Sequence, residues 1–414
     1  MAHSFSPDRT AALHALKAFV PKAGPDYAAR RNYDRPDHPD VSGLSPYIRH
    51  RLVTETEVLE AVLARHSARS AEKFVQEVFW RTYFKGWLEL RPSVWTAYRA
   101  GLARAHDRLA TESGLRDRWE RTCTGSTGIA AMDHWATDLA ETGYLHNHAR
   151  MWFASIWTFT LGLPWELGAD FFLRHLLDGD PASNTLGWRW VVGLHTPGKV
   201  YVARPSNIAK YTEGRFGGLS ALAVAPGPAP GAPNPPRGAS PVTDIWRRDA
   251  TTGLLLTEDD LSPGWLLDDG LRPVSTAVLS GATARSVLEV SEPVLAFTRG
   301  AVADTRARYG TRLGHHGPVA GLTRAAAPDA EIANLVSWAR EHRLDQVVAP
   351  YVPAGPSRDR LDALRPALSA AGIPLVTPLR AFDAAAWPHA THGFFRFKEK
   401  IPALLRDLKG LRAA

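Results

Sequence analysis

Apolar side chains recur at helical intervals through the first half of the chain. Thr54-Glu55-Thr56-Glu57 has the spacing of a capping box and stands ahead of the apolar positions Val58, Leu59, Val62 and Leu63. The same period runs through 70–90, 128–142, 145–162 and 166–177, and predicts helices there. Strand-type alternation is nearly absent from this half, and no internal repeat is found. The texture changes further on. Short β-type runs stand at Pro293–Phe297, Gln346–Pro350 and Ile373–Thr377. They alternate with helical patterns over 329–342 and 357–371, the second closing at Gly372. A final helix is expected over about 397–409, with basic residues at its end. Strands alternating with helices predict a parallel, layered α/β unit. Between the two textures, residues 225–241 hold seven prolines. Such a stretch cannot form a packed core and predicts a semi-extended spacer. The expected organisation is a helical domain over 1–224, a linker over 225–241 and an α/β domain over 242–414.

Composition sharpens this picture in a few places. A chain of 414 residues is too long for one ordinary core, which agrees with two domains. Ten of the 14 tryptophans fall between Trp80 and Trp190, so that stretch uses large flat rings for packing, stacking or electron transfer. The net charge of +7 is compatible with nucleic-acid binding and equally with a solvated basic surface. Cys123 is the single cysteine, which excludes an intramolecular disulfide and a cysteine-ligated iron–sulfur cluster. A reducing cytoplasm is the expected compartment. The start, MAHSFSPDRT, has no apolar core and predicts no secretory signal. The most apolar run, Met151 to Leu163, is too short to span a bilayer and stops at Pro164. No membrane association is expected.

Four stretches carry residues with chemistry. In Ser42-Gly43-Leu44-Ser45-Pro46-Tyr47, Ser45 suits an N-cap and Pro46 the first helical turn. The stretch reads as a phosphate cradle or as a plain helix cap. In the second, Glu77, Trp80, Arg81 and Phe84 fall at i, i+3, i+4 and i+7 and share a helical face. That face suits a planar polar ligand, or is an amphipathic surface with a local ion pair. In the third, Asn147, Arg150, Met151 and Ala154 again share one face. The flanking His146 and His148 lie roughly 200° apart around a helix, so they cannot chelate one metal, and the triplet is not a nuclease signature. The fourth is Leu176-Leu177-Asp178-Gly179-Asp180, followed by Asn184, Trp188 and Trp190. Its two carboxylates suit a Mg²⁺ ion, a pairing with Arg150, a ligand N–H, or a simple turn.

Taken in order, SxLSPY, ExxWR, TGI…D…GY.HN.ARM and W…LLDGD…SN…GW.W resemble the FAD-binding domain of the photolyase/cryptochrome family. The resemblance covers about Tyr27 to Phe216 and is densest from Thr142 to Trp190. It implies an all-helical FAD-binding domain, here followed by the unit whose pattern predicts a Rossmann-like parallel α/β domain. By the resemblance, FAD is held by Tyr27, Ser42, Leu44, Ser45, Arg81, Asn147, Arg150, Asp178, Asp180 and Asn184. Ser42, Leu44 and Ser45 would wrap the diphosphate, Arg150 would pair with Asp178 beside the ring system, and Asn184 would approach flavin N5. Glu77, Trp80, Asn147, Met151 and Trp190 match the positions that contact a flipped cyclobutane pyrimidine dimer, whose recognition needs flat walls and edge partners. Trp188 and Trp165 match the inner and middle members of an electron-transfer chain, and Trp119, Trp152 and Trp157 are candidates for the outer one.

The implied partner is UV-damaged DNA and the implied activity is light-driven dimer repair. The alternative is a blue-light photoreceptor that signals through flavin redox state to a protein partner. A third reading is an FAD protein whose dimer pocket is closed by its own second domain. Three departures from the family stand out. Gly43 replaces a basic or larger residue, the segment 191–216 lacks the common ending, and the α/β part follows the helical part instead of preceding it. The expectation is a swapped domain order, with an unrelated α/β module as the alternative. The antenna chromophore is unknown.

Overall fold

The computed structural model describes residues 5–220, 222–323 and 327–411. Helices fill the first part, from Arg9–Phe19 to Pro205–Tyr211, and a five-stranded sheet with its own helices fills the second. The capping box predicted at Thr54 is present: Thr54 and Glu57 satisfy each other's backbone donors at the head of the Glu55–Leu63 helix. The Glu72–Glu89 helix is the axis of the helical part. It buries Phe74, Val78, Phe79, Tyr83 and Trp87 on several sides at once. The expected helix over 145–162 is instead an α-helix, Asn147–Ser155, that widens into a π-helix at Ile156–Thr160 before Pro164. A π-turn inserts one extra residue per turn and re-aims what precedes it. Among the described residues no helix is long and apolar enough to cross a membrane.

The sheet comprises β1 (Thr252–Leu256), β2 (Ser275–Leu279), β3 (His315–Ala320), β4 (Gln346–Val348) and β5 (Leu375–Val376). The order is β3-β2-β1-β4-β5 and every pairing is parallel. This is a doubly wound arrangement with its switch point between β1 and β4. One expectation is overturned. The run at Pro293–Phe297 is not a strand but the start of the Glu292–Tyr309 helix. Ser291 precedes it, Glu292 and Pro293 occupy its first turn, and Val294, Phe297, Ala301, Val302 and Thr305 form its buried stripe. The central strands β1 and β2 are buried on both faces and therefore show no alternation. The final helical stretch is split into Phe394–Lys398 and Ile401–Leu411.

The proline-rich stretch has no regular secondary structure, yet it does not hang free. Ala229 N–H donates to Val192 O (3.0 Å) and Gly238 N–H to Leu90 O (2.7 Å). Arg189 donates to Asn234 Oδ1 (3.0 Å), and Asn234 in turn donates to His195 O (3.0 Å). The prolines shape an extended strap, and its remaining amides and one asparagine fasten it across the helical part.

The carboxyl ends of the strands face the helical part. The stretch after β1 brings Asp259 to Arg49 (2.8 Å) and Asp260 to Arg51 (3.3 Å). Arg51 also meets Glu55 (3.3 Å) and Asp383 (2.6 Å), and Asp260 meets Arg380 (2.5 Å). All but Arg380 are buried. Beyond β4, Tyr351 Oη donates to Glu89 (2.5 Å).

Four histidines, His50 and His146 buried and His175 and His195 half-buried, have their charged forms disfavoured. Burial, the main cause in each, lowers His195 and His175 to about 4 and His146 to about 3, and holds His50 well below its ordinary value. The unfolded chain therefore takes up protons that the folded chain refuses as pH falls below 6.5. Stability is full above that pH and is lost progressively toward pH 4, by up to about 3 kcal/mol for a histidine moved from 6.5 to 4. Burial raises Glu89 and Asp170, whose protonation works in the opposite sense over part of this range. The histidines act from the top of this window downward and the carboxyls only in its lower part, so the thermal midpoint is expected to drop between pH 6.5 and 4. A midpoint that rises across that window in a differential scanning experiment would contradict this burial pattern.

Candidate functional site

The loop between the Trp165–His175 and Pro181–Val191 helices carries Asp178 and Asp180, and it is the centre of the site. Asp180 caps the second helix by accepting from Ser183 N–H (2.8 Å). Its other oxygen faces Lys85 Nζ at 3.5 Å and Arg81 Nη1 at 3.7 Å. Burial works to raise the Asp180 carboxyl, but Lys85, Arg81 and Arg49 outweigh it and hold the group well below the carboxylate range. Asp178 Oδ2 accepts from Arg150 Nη2 at 2.9 Å. Burial opposes ionisation here too, and Arg150, the Ser45 hydroxyl and Arg81 overcome it. Arg81 also donates to Ser45 O (3.4 Å). Arg81, Arg150, Asp178, Asp180 and Ser45, predicted from separate stretches, thus converge on one place.

Ser45 does not act as an N-cap. It is the first residue of the Ser45–Arg49 helix, with Leu44 in the preceding position. The reason is local: Ser42 Oγ accepts from Leu44 N–H (3.3 Å) after Gly43 at φ 62°, so the turn closes one residue early. The Ser45 hydroxyl is thereby free to meet Asp178. An open groove of about 530 Å³ lies beside this turn, bordered by Phe5, Asp8, His14, Ser42, Gly43 and Tyr47. Asn184 sits one helical turn beyond Asp180, 9% exposed, its amide donating to Ala169 O (2.8 Å). Asn147 is exposed at the head of its helix, and Met151 is half-buried one turn on. Tyr27 is buried between Phe19 (5.7 Å between ring centroids) and Phe74 (5.3 Å) and belongs to the packing around the Glu72–Glu89 helix.

The shared face of Glu77, Trp80, Arg81 and Phe84 divides its attention. Arg81 turns to Asp180, whereas Glu77 is paired with Arg31. The Trp80 ring lies 3.7 Å from that of Phe394 at 12°, a stack supplied by the C-terminal part of the chain. Trp190 stacks on Tyr201 at 5.6 Å and 30°. Trp188 is buried with its indole N–H lacking a partner among the described residues. A Cβ at Gly168 would collide with the Trp188 ring, so that glycine is what lets the indole lie against the neighbouring helix.

Trp157 is 6.1 Å from Trp188, while Trp152 is stacked on Trp135 at 5.5 Å. Trp165 is 5.7 Å from Tyr98, and Tyr98 is 5.3 Å from Trp95. The indole of Trp95 donates to Asp359 of the α/β part (3.0 Å). Tyr98 and Trp95 were not anticipated from sequence. Neither was Lys85, although it stands four residues after Arg81 as a lone cation among Tyr83, Phe84, Trp87 and Leu88, and that spacing puts it on the Arg81 face.

An FAD molecule asks for donors to its diphosphate, an acceptor for ring N–H groups and flat apolar walls. Ser42, Ser45, Arg81, Lys85 and Arg150 would supply the donors, and the carboxylates of Asp178 and Asp180 the acceptors. Two buried polar atoms at this place, Asp178 Oδ1 and Arg81 Nη1, have no hydrogen-bond partner among the described residues. Buried groups of that kind are partnered in native proteins, by a ligand where protein does not serve. The residues present fit the group.

Comparison with known proteins agrees. Residues 74–214 match the family model described as the FAD binding domain of DNA photolyase. The deoxyribodipyrimidine photo-lyase of Streptomyces griseus is 34% identical over 165 residues, covering 38% of this chain and 34% of the relative. That of Alkalihalophilus pseudofirmus is 32% identical over 196 residues, covering 46% and 39%. The chain thus spans between about a third and two-fifths of the length of these relatives. Among solved structures, a bacterial class III photolyase from Agrobacterium tumefaciens is similar at 26% identity with a TM-score of 0.42, over 49% of this chain and 42% of that one.

Arg150 is the direct neutraliser of a nearly inaccessible carboxylate. Arg150→Ala is expected to destabilise the protein by about 3 kcal/mol in urea unfolding without added ligand, because it strands the charge on Asp178. Combining it with Asp178→Asn should recover a large part of that loss. Additive losses in the double variant would mean that the pair is not coupled.

Proposed function

Residues 74–214 match the FAD binding domain of DNA photolyase, and from that premise we propose that the chain binds one FAD and drives light-dependent electron transfer to cyclobutane pyrimidine dimers in DNA. The convergence of Ser45, Arg81, Lys85, Arg150, Asp178 and Asp180 on one buried place is the observation that carries the reading. When bound and reduced, the flavin supplies one electron on absorbing blue light and takes it back after the dimer has split.

The protein's part is binding, orientation and electrostatics. Ser42, Ser45 and the amides of that turn would hold the diphosphate. Arg150 and Asp178 would bond to edges of the ring system, and Asn184 would present its amide nearby. Arg81 and Lys85 keep Asp180 ionised, so it accepts hydrogen bonds and does not donate them. Trp80 and Trp190 would form the flat walls for a flipped dimer, with Glu77, Asn147 and Met151 at its edges. Trp188 and Trp165 would carry electrons inward from the surface, with Tyr98 and Trp95 continuing the row of rings. The parallel α/β part would be the counterpart of the family's antenna domain, placed after the helical part.

A second reading is an FAD protein without repair, either one whose dimer pocket is closed by its own C-terminal part or a blue-light photoreceptor. What favours it is that three dimer-contact side chains already have partners within the chain: Glu77 has Arg31, Trp80 has Phe394 and Trp190 has Tyr201.

The deciding experiment uses the protein with reduced flavin, a UV-damaged oligonucleotide and blue light. Loss of dimers is expected. Unchanged dimers, in an assay where a known repair enzyme works, would remove the lyase reading. Light-dependent flavin spectra persisting in that case would select the photoreceptor. In either case Trp188→Phe should slow flavin photoreduction by tenfold or more while FAD stays bound. Equal photoreduction in variant and wild type would exclude the path through that indole.

A further inference from the structure

The strand ends of the α/β part do more than rest against the helical part: they grip the loop that presents Asp178 and Asp180. Arg285 follows the turn after β2 and is 1% exposed. Its Nη1 donates to Leu176 O (3.1 Å) and, at 3.4 Å, to Leu173 O. It reaches this far because residue 179 has no side chain. A Cβ on Gly179 would lie 2.8 Å from that same nitrogen. From the other direction, Arg49 Nε donates to Gly179 O (3.1 Å), and its Nη1 is held by Asp259 (2.8 Å). Arg49 is itself 1% exposed, and Asp259 is 5% exposed.

The two carbonyls held in this way, Leu176 and Gly179, bracket Asp178. Fixing both peptide planes fixes the direction of the Asp178 Cα–Cβ bond. It also fixes the entry into the Pro181–Val191 helix that Asp180 caps. Hydrogen bonds to a charged group are the stronger kind, and buried ones have no water to exchange with. A binding site whose supporting groups are loose by about 1 Å loses much of its ligand affinity.

We infer that Arg285 and Asp259 of the α/β part are positioning residues for the flavin site, so that the second domain sets how the first holds its cofactor. This inference rests on the reading of the place around Asp178 and Asp180 as an FAD site. Neither residue hydrogen-bonds the Asp178 or Asp180 side chain. Arg285 acts through the loop backbone and Asp259 acts through Arg49. Other contacts between the two parts, such as Tyr351 with Glu89, hold no backbone group of the loop.

The test uses the full chain stripped of flavin and titrated with FAD. Arg285→Met and Asp259→Asn are each expected to weaken FAD binding by tenfold or more. Arg285→Lys, which keeps a donor and a charge, should recover most of the affinity. Tyr351→Phe, which loosens the same interface elsewhere, should stay within twofold of wild type. At saturating FAD, visible circular dichroism of the bound flavin should change in Arg285→Met and return in Arg285→Lys. A general loss of folding would not produce that pattern. Should Arg285→Met fail to fold, Asp259→Asn and Arg285→Lys carry the comparison by themselves. Affinities within twofold of wild type for Asp259→Asn and every folded Arg285 variant, with unchanged dichroism, would overturn the inference. A wild-type chain that takes up no FAD would remove the flavin reading itself, an outcome distinct from the first.

Discussion

Buried charge between the two halves of the chain is the constraint on which the rest of the structure hangs. Arg49, Arg51 and Arg285 lie inside the interface with Glu55, Asp259, Asp260 and Asp383, all 5% exposed or less. Taking such groups out of water costs several kcal/mol per ion, and their mutual attraction repays it only when every partner is in place. Separating the halves would take Asp259 from Arg49, and Asp260 and Asp383 from Arg51. The arrangement therefore favours one docking geometry over near alternatives, which apolar surfaces alone do poorly. That same geometry reaches the site. Arg49 bridges Asp259 to the Gly179 carbonyl, so the docking of the domains and the shape of the Asp178–Asp180 loop are linked through one side chain.

The site's ingredients were legible through the resemblance carried by the order of the motifs, which implied the pairing of Arg150 with Asp178. That Asp180 stands at a helix head was not read from the sequence, although its place ahead of Pro181 suits a cap. What was not legible depends on contacts between residues far apart. Nothing near Trp80 announces that Phe394 will stack on it. Nothing near Gly179 announces Arg285. Lys85 was readable in principle, since its interval from Arg81 places the two on one face. It was passed over because a lysine among aromatics looks like a surface position.

Fold class was legible in coarse form only. Helical periodicity in the first half and alternation in the second named the two architectures. The centre of the sheet was missed, because β1 and β2 are buried on both faces and carry no alternating pattern. The segment from Pro293 was misread because five apolar-rich residues fit a strand as well as a helix. The buried stripe continuing to Thr305 is what decides it. Residues 225–241 hold no helix or strand, and composition says nothing about where such a stretch is fastened. Asn234, bonded both to Arg189 and to His195 O, is what turns the spacer into a strap.

The account's central claim is the proposal that one flavin is held where Arg150 meets Asp178, with Asn184 close by in the chain. The most direct measurement is cofactor content: absorbance of the purified full-length protein, with the released chromophore identified and counted against protein. The account predicts a yellow preparation, or a colourless one that takes up added FAD, saturating at one FAD per chain. A colourless protein that ignores FAD at any concentration would contradict it.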